Sequence, residues 1–445
     1  MVEGVLDVIV VGGGLAGLTA MRDLREQGRT VLLLEARDRL GGRTWYRRFG
    51  GTEQYVELGG TWSVDHRQPC VAKEKARYSL GTIQSPAPQT WRMRLDGTER
   101  DGWLPVPYED IAGFERGVYH LIHDSLRIDF GTPLDLQQVD DLDVSFAEWM
   151  DSKDLADATR AFFSAFVALN YGCLPGEVST VQFLTWIAGM GNSPWTMSTV
   201  LTEKFANGTK SLVDCLVAEA DADIRLSCPV ARIEQDGDTV LVTTRSGDTV
   251  RAATAIVATP LNTWCDVEFS PALSEPKVRA TAVGHNGHSV KPWTLVTGAP
   301  DYFASWAWDG GMCYLSTEFE IDDGSVMVGF AHSPEVVDIT DPADIAAKVK
   351  AFLPGDAEVI GVDGHDWNAD EFARGTWVAF APGQLTRWHS GLMAAEGRVA
   401  FAGSDIAPRW MGWMEGAIES GQLAARKVGE LLSHGAVDSM PKTPV

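Results

Sequence analysis

The stretch Leu6-Asp7-Val8-Ile9-Val10-Val11-Gly12-Gly13-Gly14-Leu15-Ala16-Gly17-Leu18 decides the fold. An apolar run, Val5 to Val11, meets three glycines and then a helical pattern from Leu18 to Gln27, which reads as strand, tight turn and helix. A second apolar run, Thr30 to Leu34, ends in Glu35 and completes a βαβ unit of about 30 residues. Gly12, Gly14 and Gly17 take the three positions where small residues permit a tight turn, close approach of backbone to a pyrophosphate, and close helix-sheet packing. The helix would then present its free N–H groups and positive end to the phosphates. Glu35, 18 residues beyond Gly17, stands where a carboxylate accepts hydrogen bonds from ribose hydroxyls and repels a 2′-phosphate, which argues against NADP.

FAD and NAD are not separated by this fingerprint alone. The continuation Glu35-Ala36-Arg37-Asp38-Arg39-Leu40-Gly41-Gly42-Arg43-Thr44, followed by Glu57-Leu58-Gly59-Gly60-Thr61-Trp62, favours FAD. Two further glycine pairs let the backbone pass close to an extended cofactor, and the Arg43 guanidinium can reach pyrophosphate oxygens. Each pair taken alone could be only a turn, and Arg43 only a surface ion pair.

The rest of the composition narrows the class. With 445 residues, 45% of them hydrophobic, the chain can bury a sizeable core, and its net charge of -24 disfavours nucleic-acid backbones and anionic membranes as partners. The cysteines Cys70, Cys173, Cys215, Cys228, Cys265 and Cys313 are scattered without metal-ligand spacing, so no metal is expected and a reducing compartment is. No signal-peptide pattern and no run of about 18 apolar residues is found, so a cytoplasmic location is expected.

The texture alternates along the chain. Long helical segments (Tyr108 to Ile128, Leu155 to Tyr171, Val178 to Met190) suggest a mostly helical insertion from Leu80 to about Phe205. Short alternating runs between Ile224 and Thr259 read as a β-meander ending in a buried strand, Ala255 to Ala258. More strands and a helix at Asp341 to Phe352 follow, then a strand at Arg398 to Ala402 and a helix at Trp413 to Leu432. The expected architecture is α/β: a discontinuous Rossmann-like domain (residues 1-79, 206-288 and 384-445) interleaved with an α+β substrate domain (80-205 and 289-383).

A second motif lies at the far end: Arg398-Val399-Ala400-Phe401-Ala402-Gly403-Ser404-Asp405, then Gly412-Trp413-Met414-Glu415-Gly416-Ala417. With both motifs in place the chain resembles the flavin-containing amine oxidases, the monoamine oxidase family. The likeness spans nearly the whole length, including Asn207-Gly208-Thr209 and Val230, the family position whose backbone meets the adenine. Through Ala258-Thr259-Pro260-Leu261-Asn262-Thr263-Trp264 and Gly403-Ser404-Asp405 it is most similar to the bacterial hydroxynicotine-oxidising branch.

The resemblance implies a monoamine oxidase-like two-domain fold and a set of roles. Asp405 would sit near the pyrophosphate and ribityl chain, with Gly403 permitting the backbone geometry; without the family, it reads as a helix cap. Gly412, Trp413 and Met414 would open a helix whose positive end faces the flavin. Lys291 falls where the family carries a lysine that holds a water near flavin N5, a feature linked to reoxidation by O2; otherwise it reads as a surface or edge residue. Trp413 and Trp377 match the two aromatic walls of the amine slot, although most of the 16 tryptophans must be core. Asn170 is a candidate polar contact, or merely a helix-ending asparagine. No cysteine occurs near Gly375 and Thr376, where relatives with a covalent flavin carry one, so noncovalent FAD is expected.

The implied reaction is hydride transfer from the carbon next to an amine nitrogen to the flavin, with O2 reduced to H2O2. The favoured substrate is a secondary or cyclic amine bearing an aromatic ring; primary arylalkyl or cycloalkyl amines come next. L-amino acids come third, since Gly60-Thr61-Trp62-Ser63 has no arginine for a carboxylate, although Arg67 is close. A flavin desaturase or a non-catalytic flavoprotein is the alternative outside the oxidases. The partners are a small amine and O2, with a homodimer as the assembly to be checked. His285, His288 and the acidic run Glu318 to Asp323 read as solvated surface.

Overall fold

The computed structural model describes residues 5–197 and 199–437, without the side chains of 434–437; the end of the C-terminal stretch assigned above lies outside them. The opening motif folds as strand Leu6–Val11, helix Leu15–Glu26 and strand Val31–Leu34. These strands belong to a sheet whose parallel core runs Asp223–Arg225, Val31–Leu34, Leu6–Val11, Thr249–Val257 and Val399–Phe401. Val8 to Val11 and Val31 to Leu34 are buried throughout, as expected of a parallel strand covered on both faces. Their continuous apolar runs, rather than alternation, are the sequence form of that burial.

The sheet is discontinuous in sequence because each excursion returns to a neighbouring strand. Ile9 pairs with Ala255, and Ala255 pairs in turn with Val399, so residues 246 and then 144 positions apart lie side by side. The strands Val230–Asp236 and Thr239–Thr244 form an antiparallel flap on the amino-terminal half of Thr249–Val257, whose last four residues are buried. Helix Leu15–Glu26 packs on the final helix, Met414–Val437, and a Cβ on Gly421 would strike the Ala16 carbonyl, so the two helices cross in close contact.

A second, seven-stranded sheet runs Glu358–Asp363, Trp293–Thr297, Gly324–Phe330, Tyr314–Ile321, Phe303–Ala307, Thr90–Leu95 and Thr98–Asp101. Its last two strands correct the helical reading of Leu80 onward. Met93 and Leu95 alternate with Arg92 and Arg94 in the period of a strand, and the partner of Thr90–Leu95 is Phe303–Ala307, too distant in sequence for local pattern to reveal. Helices Ile111–Ser125, Asp157–Tyr171 and Thr180–Gly189 follow, each shorter than expected. Glu318 is also corrected: it is buried within Tyr314–Ile321 and paired with Lys204, while Asp322 and Asp323 form the turn. No helix among the described residues is long and apolar enough to cross a membrane.

Candidate active site

One large cavity has a lining that joins both sequence motifs. At one end Gly12 sits at φ 106°, where a Cβ would come within 2.8 Å of the Ala258 oxygen, and a Cβ on Gly17 would overlap the Gly12 carbonyl. The helix therefore starts against bare backbone. Gly12 and Gly14 line the cavity, with Gly42 opposite; Gly17 lies behind them as packing.

Glu35 is buried at the carboxyl end of its strand, where Oε2 accepts from the Gly13 amide (2.6 Å) and Oε1 from the Arg37 amide (2.8 Å). Its carboxylate is thus fixed in the wall by the turn it serves, and its backbone oxygen accepts from Cys228, which leads to Val230. Arg37 also lines this end and pairs with Asp370 (2.5 Å).

Arg43 has protein partners that the motif did not announce. Its guanidinium bonds Asp405 Oδ1 (2.7 Å), Ser404 Oγ (3.0 Å) and the Thr376 carbonyl (2.5 Å), tying the first motif to the second. Asp405 is buried behind this arginine and accepts also from the Leu261 amide (3.1 Å); it is Gly403 and Ser404 that reach the cavity surface. Burial alone would raise the Asp405 pKa, but Arg43, His285 and these hydrogen bonds hold it below the ordinary carboxylate range. His285 is a second correction: it is buried, its Nδ1 accepts from the Gly287 amide (3.1 Å), and burial pushes its pKa down to about 4. His288 is exposed.

Gly59, Gly60 and Thr61 line the middle of the cavity with Gly412, Trp413 and Met414. Lys291 reaches this turn from the other sheet. Its Nζ donates to the Glu57 oxygen (2.9 Å), the Gly59 oxygen (2.9 Å) and Thr61 Oγ1 (2.5 Å), while lying 4.7 Å from the Trp62 ring centroid. The Thr61 hydroxyl gives its own proton to Gly59, so all three bonds from Lys291 are donations, the pattern of an ammonium. Burial holds the Lys291 pKa below the ordinary lysine range despite the nearby Glu57 carboxylate, and burial holds Glu57 above the ordinary carboxylate range despite bonds from the Thr209 amide and hydroxyl.

Asn170 comes in on the last turn of Asp157–Tyr171. Gly172 closes that helix in the left-handed conformation (φ 61°), and a Cβ there would meet the Ser289 amide at 2.5 Å, which seats the helix end against the Lys291 segment. Asn170 Nδ2 donates to the Phe166 carbonyl (2.7 Å), leaving Oδ1 for the cavity. Trp413 packs edge-on against Trp186 (5.2 Å) and Trp410 (5.7 Å), whereas Trp377 packs on Phe330 (6.4 Å). The two indoles have different immediate ring neighbours, and both line the same cavity.

Sequence reading missed several lining residues. Trp62 stood within the quoted Gly59-Gly60-Thr61-Trp62 and could have been taken from it; Phe330, Trp186, Leu201 and Phe372 carried no local signal. Arg67 is exposed and stays out of the lining. Among the described residues no group of acidic, histidine and cysteine side chains has a metal-binding arrangement.

The chain belongs to the flavin containing amine oxidoreductases, whose family model matches residues 15–429. It is an FAD-dependent amine oxidase with the two-domain fold of that family. It is 36% identical to (S)-6-hydroxynicotine oxidase of Paenarthrobacter nicotinovorans over 95% of this chain and 99% of that one. It is 34% identical to a pseudooxynicotine dehydrogenase of a Pseudomonas species, over 96% and 86% of the two chains. In structure it matches cyclohexylamine oxidase of Brevibacterium oxydans with a TM-score of 0.85, 21% identity, and coverage of 97% and 100%. The cavity fits the cofactor, because the missing Cβ atoms at Gly12 and Gly17 and the fixed Glu35 carboxylate are what a dinucleotide requires.

Proposed function

We propose that this enzyme oxidises a secondary or cyclic amine carrying an aromatic ring, of the 6-hydroxynicotine type, and passes the electrons to O2. The observation that carries this reading is the composition of one cavity end: Trp62, Phe330, Trp377 and Trp413 around Asn170 and Lys291. Held noncovalently, FAD would supply the hydride acceptor for the carbon beside the amine nitrogen and the route by which the electron pair reaches O2, with H2O2 as the product. The oxidised product is an imine or iminium that water hydrolyses.

Trp377 and Trp413 flank the amine, exclude water and favour the neutral or weakly cationic form by contact with their π faces. Asn170 Oδ1 offers one acceptor to a polar substituent on the ring. Lys291 supplies positive charge beside the site where negative charge develops during reoxidation, and it holds the Gly59 to Thr61 turn in place. No side-chain base is required when the amine enters deprotonated. A substrate carboxylate is disfavoured, since the nearby lining cation, Lys291, is already surrounded by three acceptors, Arg43 is paired with Asp405, and Arg67 is absent from the wall.

For the cofactor end, we propose that Glu35 binds ribose hydroxyls, that the amides after Gly14, Gly42 and Gly60 and the Arg43 guanidinium face the pyrophosphate, and that Val230 lies at the adenine. Thr376, in place of a cysteine, supports noncovalent attachment. The relatives include one named an oxidase and one named a dehydrogenase, so the acceptor is worth measuring directly. Oxygen consumption and peroxide release are to be followed with (S)-6-hydroxynicotine, cyclohexylamine, phenethylamine and L-leucine. The expected order puts (S)-6-hydroxynicotine first and L-leucine last; L-leucine ranking first would reject the substrate reading, and turnover without oxygen uptake would reject the acceptor.

A further inference from the structure

The loop from His365 to Arg374 falls in the stretch expected on the substrate side, yet its side chains grip the nucleotide side at three points. Asp370 pairs with Arg37 (2.5 Å), Glu371 with Arg245, and Arg374 with Asp266 (2.7 Å). The three partners stand in separate places: beyond strand Val31–Leu34, in the turn before Thr249–Val257, and just before Glu268–Ser270. Phe372 lies among these pairs. The guanidinium carbons of Arg37 and Arg245 sit 5.6 Å and 5.5 Å from its ring centroid. Arg37, Phe372 and Arg245 all line the cavity, with Glu35, Cys228 and Val230.

The loop is preformed by its own backbone: Arg374 donates to the Asp370 carbonyl (3.0 Å) and Gly375 to that of Trp367 (3.0 Å). Trp367 in turn donates its indole N–H to the Leu58 carbonyl (2.8 Å), anchoring the loop beside the Gly59-Gly60 turn. An aromatic ring flanked by two guanidinium groups offers a planar, polarisable surface suited to a purine base. A single exposed ion pair would add little, but three on one short loop restrain it together.

We propose that this loop is a clasp on the adenosine end of FAD: Phe372 and Arg245 contact the adenosine, the three ion pairs keep the clasp shut, and retention of the noncovalent cofactor is set there. The inference is independent of which amine the enzyme oxidises. It makes cofactor release sensitive to salt, because Arg245 and Glu371 are 38% and 54% exposed and so open to screening.

The test is the rate at which diluted holoenzyme releases FAD, read as the rise in free-flavin fluorescence. Phe372→Ala is expected to release FAD about tenfold faster, the loss of one aromatic contact to a base. Glu371→Gln is expected to release it roughly threefold faster at about 0.05 M salt and to match the wild type at about 0.5 M, where the wild type itself is faster. Because Glu371 is half exposed, its variant decides the matter if Phe372→Ala does not fold. Release from Phe372→Ala within twofold of the wild type, or a wild-type rate indifferent to salt and to Glu371→Gln, would overturn the clasp.

Discussion

At the Gly12 end the cavity depends on bare backbone at fixed positions, and at the Trp413 end on the convergence of large rings. The first end needs small residues at fixed spacing, because a Cβ on Gly12 or Gly17 would occupy the space of a carbonyl. The second needs only that several large rings converge, and Trp62, Trp186, Phe330, Trp377 and Trp413 do so from five separated segments. Constraint by backbone leaves a motif in the sequence; constraint by side-chain convergence does not.

The contrast can be broken or sharpened by substitution. Gly17→Val should have the largest effect: purified protein lacking the flavin absorption band, since the helix can no longer approach the Gly12 carbonyl. A yellow Gly17→Val enzyme would show that the turn is less constrained than its geometry. Lys291→Met should slow flavin reoxidation by O2 about 100-fold in stopped-flow, while anaerobic reduction by amine changes much less. An unchanged oxidative half-reaction would confine Lys291 to holding the Gly59 to Thr61 turn.

Smaller effects are expected on the aromatic side. Trp377→Ala should raise KM roughly tenfold and leave bound flavin in place, because the ring packs on Phe330 and, in the proposed reading, faces the substrate rather than the nucleotide. The smallest concerns pH. His285 is neutral in the fold down to about 4, whereas an unfolded histidine takes a proton near 6.5. Below about 6.5 the unfolded state therefore binds more protons, and stability falls as pH falls toward about 4, by on the order of 1 kcal/mol per pH unit. His285→Asn, which keeps an acceptor for the Gly287 amide, should flatten the loss of thermal stability between pH 7 and 5. An unaltered slope would place the acid-sensitive group elsewhere.

Much of the nucleotide side could be read in advance for the same reason that Gly17→Val should be severe. Strand, glycine turn, helix and Glu35 follow one another within 30 residues and occur as read. The pairing of Thr90–Leu95 with Phe303–Ala307 could not be read, since its partner lies more than 200 residues away. His285 looked like surface because its surroundings include Asn262 and Gly375, neither of them near it in sequence. Arg43 was singled out as a cation for phosphate, and the structure adds that Asp405 of the second motif holds it. A motif announces a residue type, whereas its partner is set by tertiary contact.

The central claim, that the aromatic end takes an uncharged-acid-free cyclic amine and delivers its electrons to FAD, is tested most directly by one anaerobic spectrum. Purified holoenzyme should lose its flavin absorption on addition of (S)-6-hydroxynicotine and keep it on addition of L-leucine. A flavin band left intact by (S)-6-hydroxynicotine and bleached by L-leucine would contradict the account.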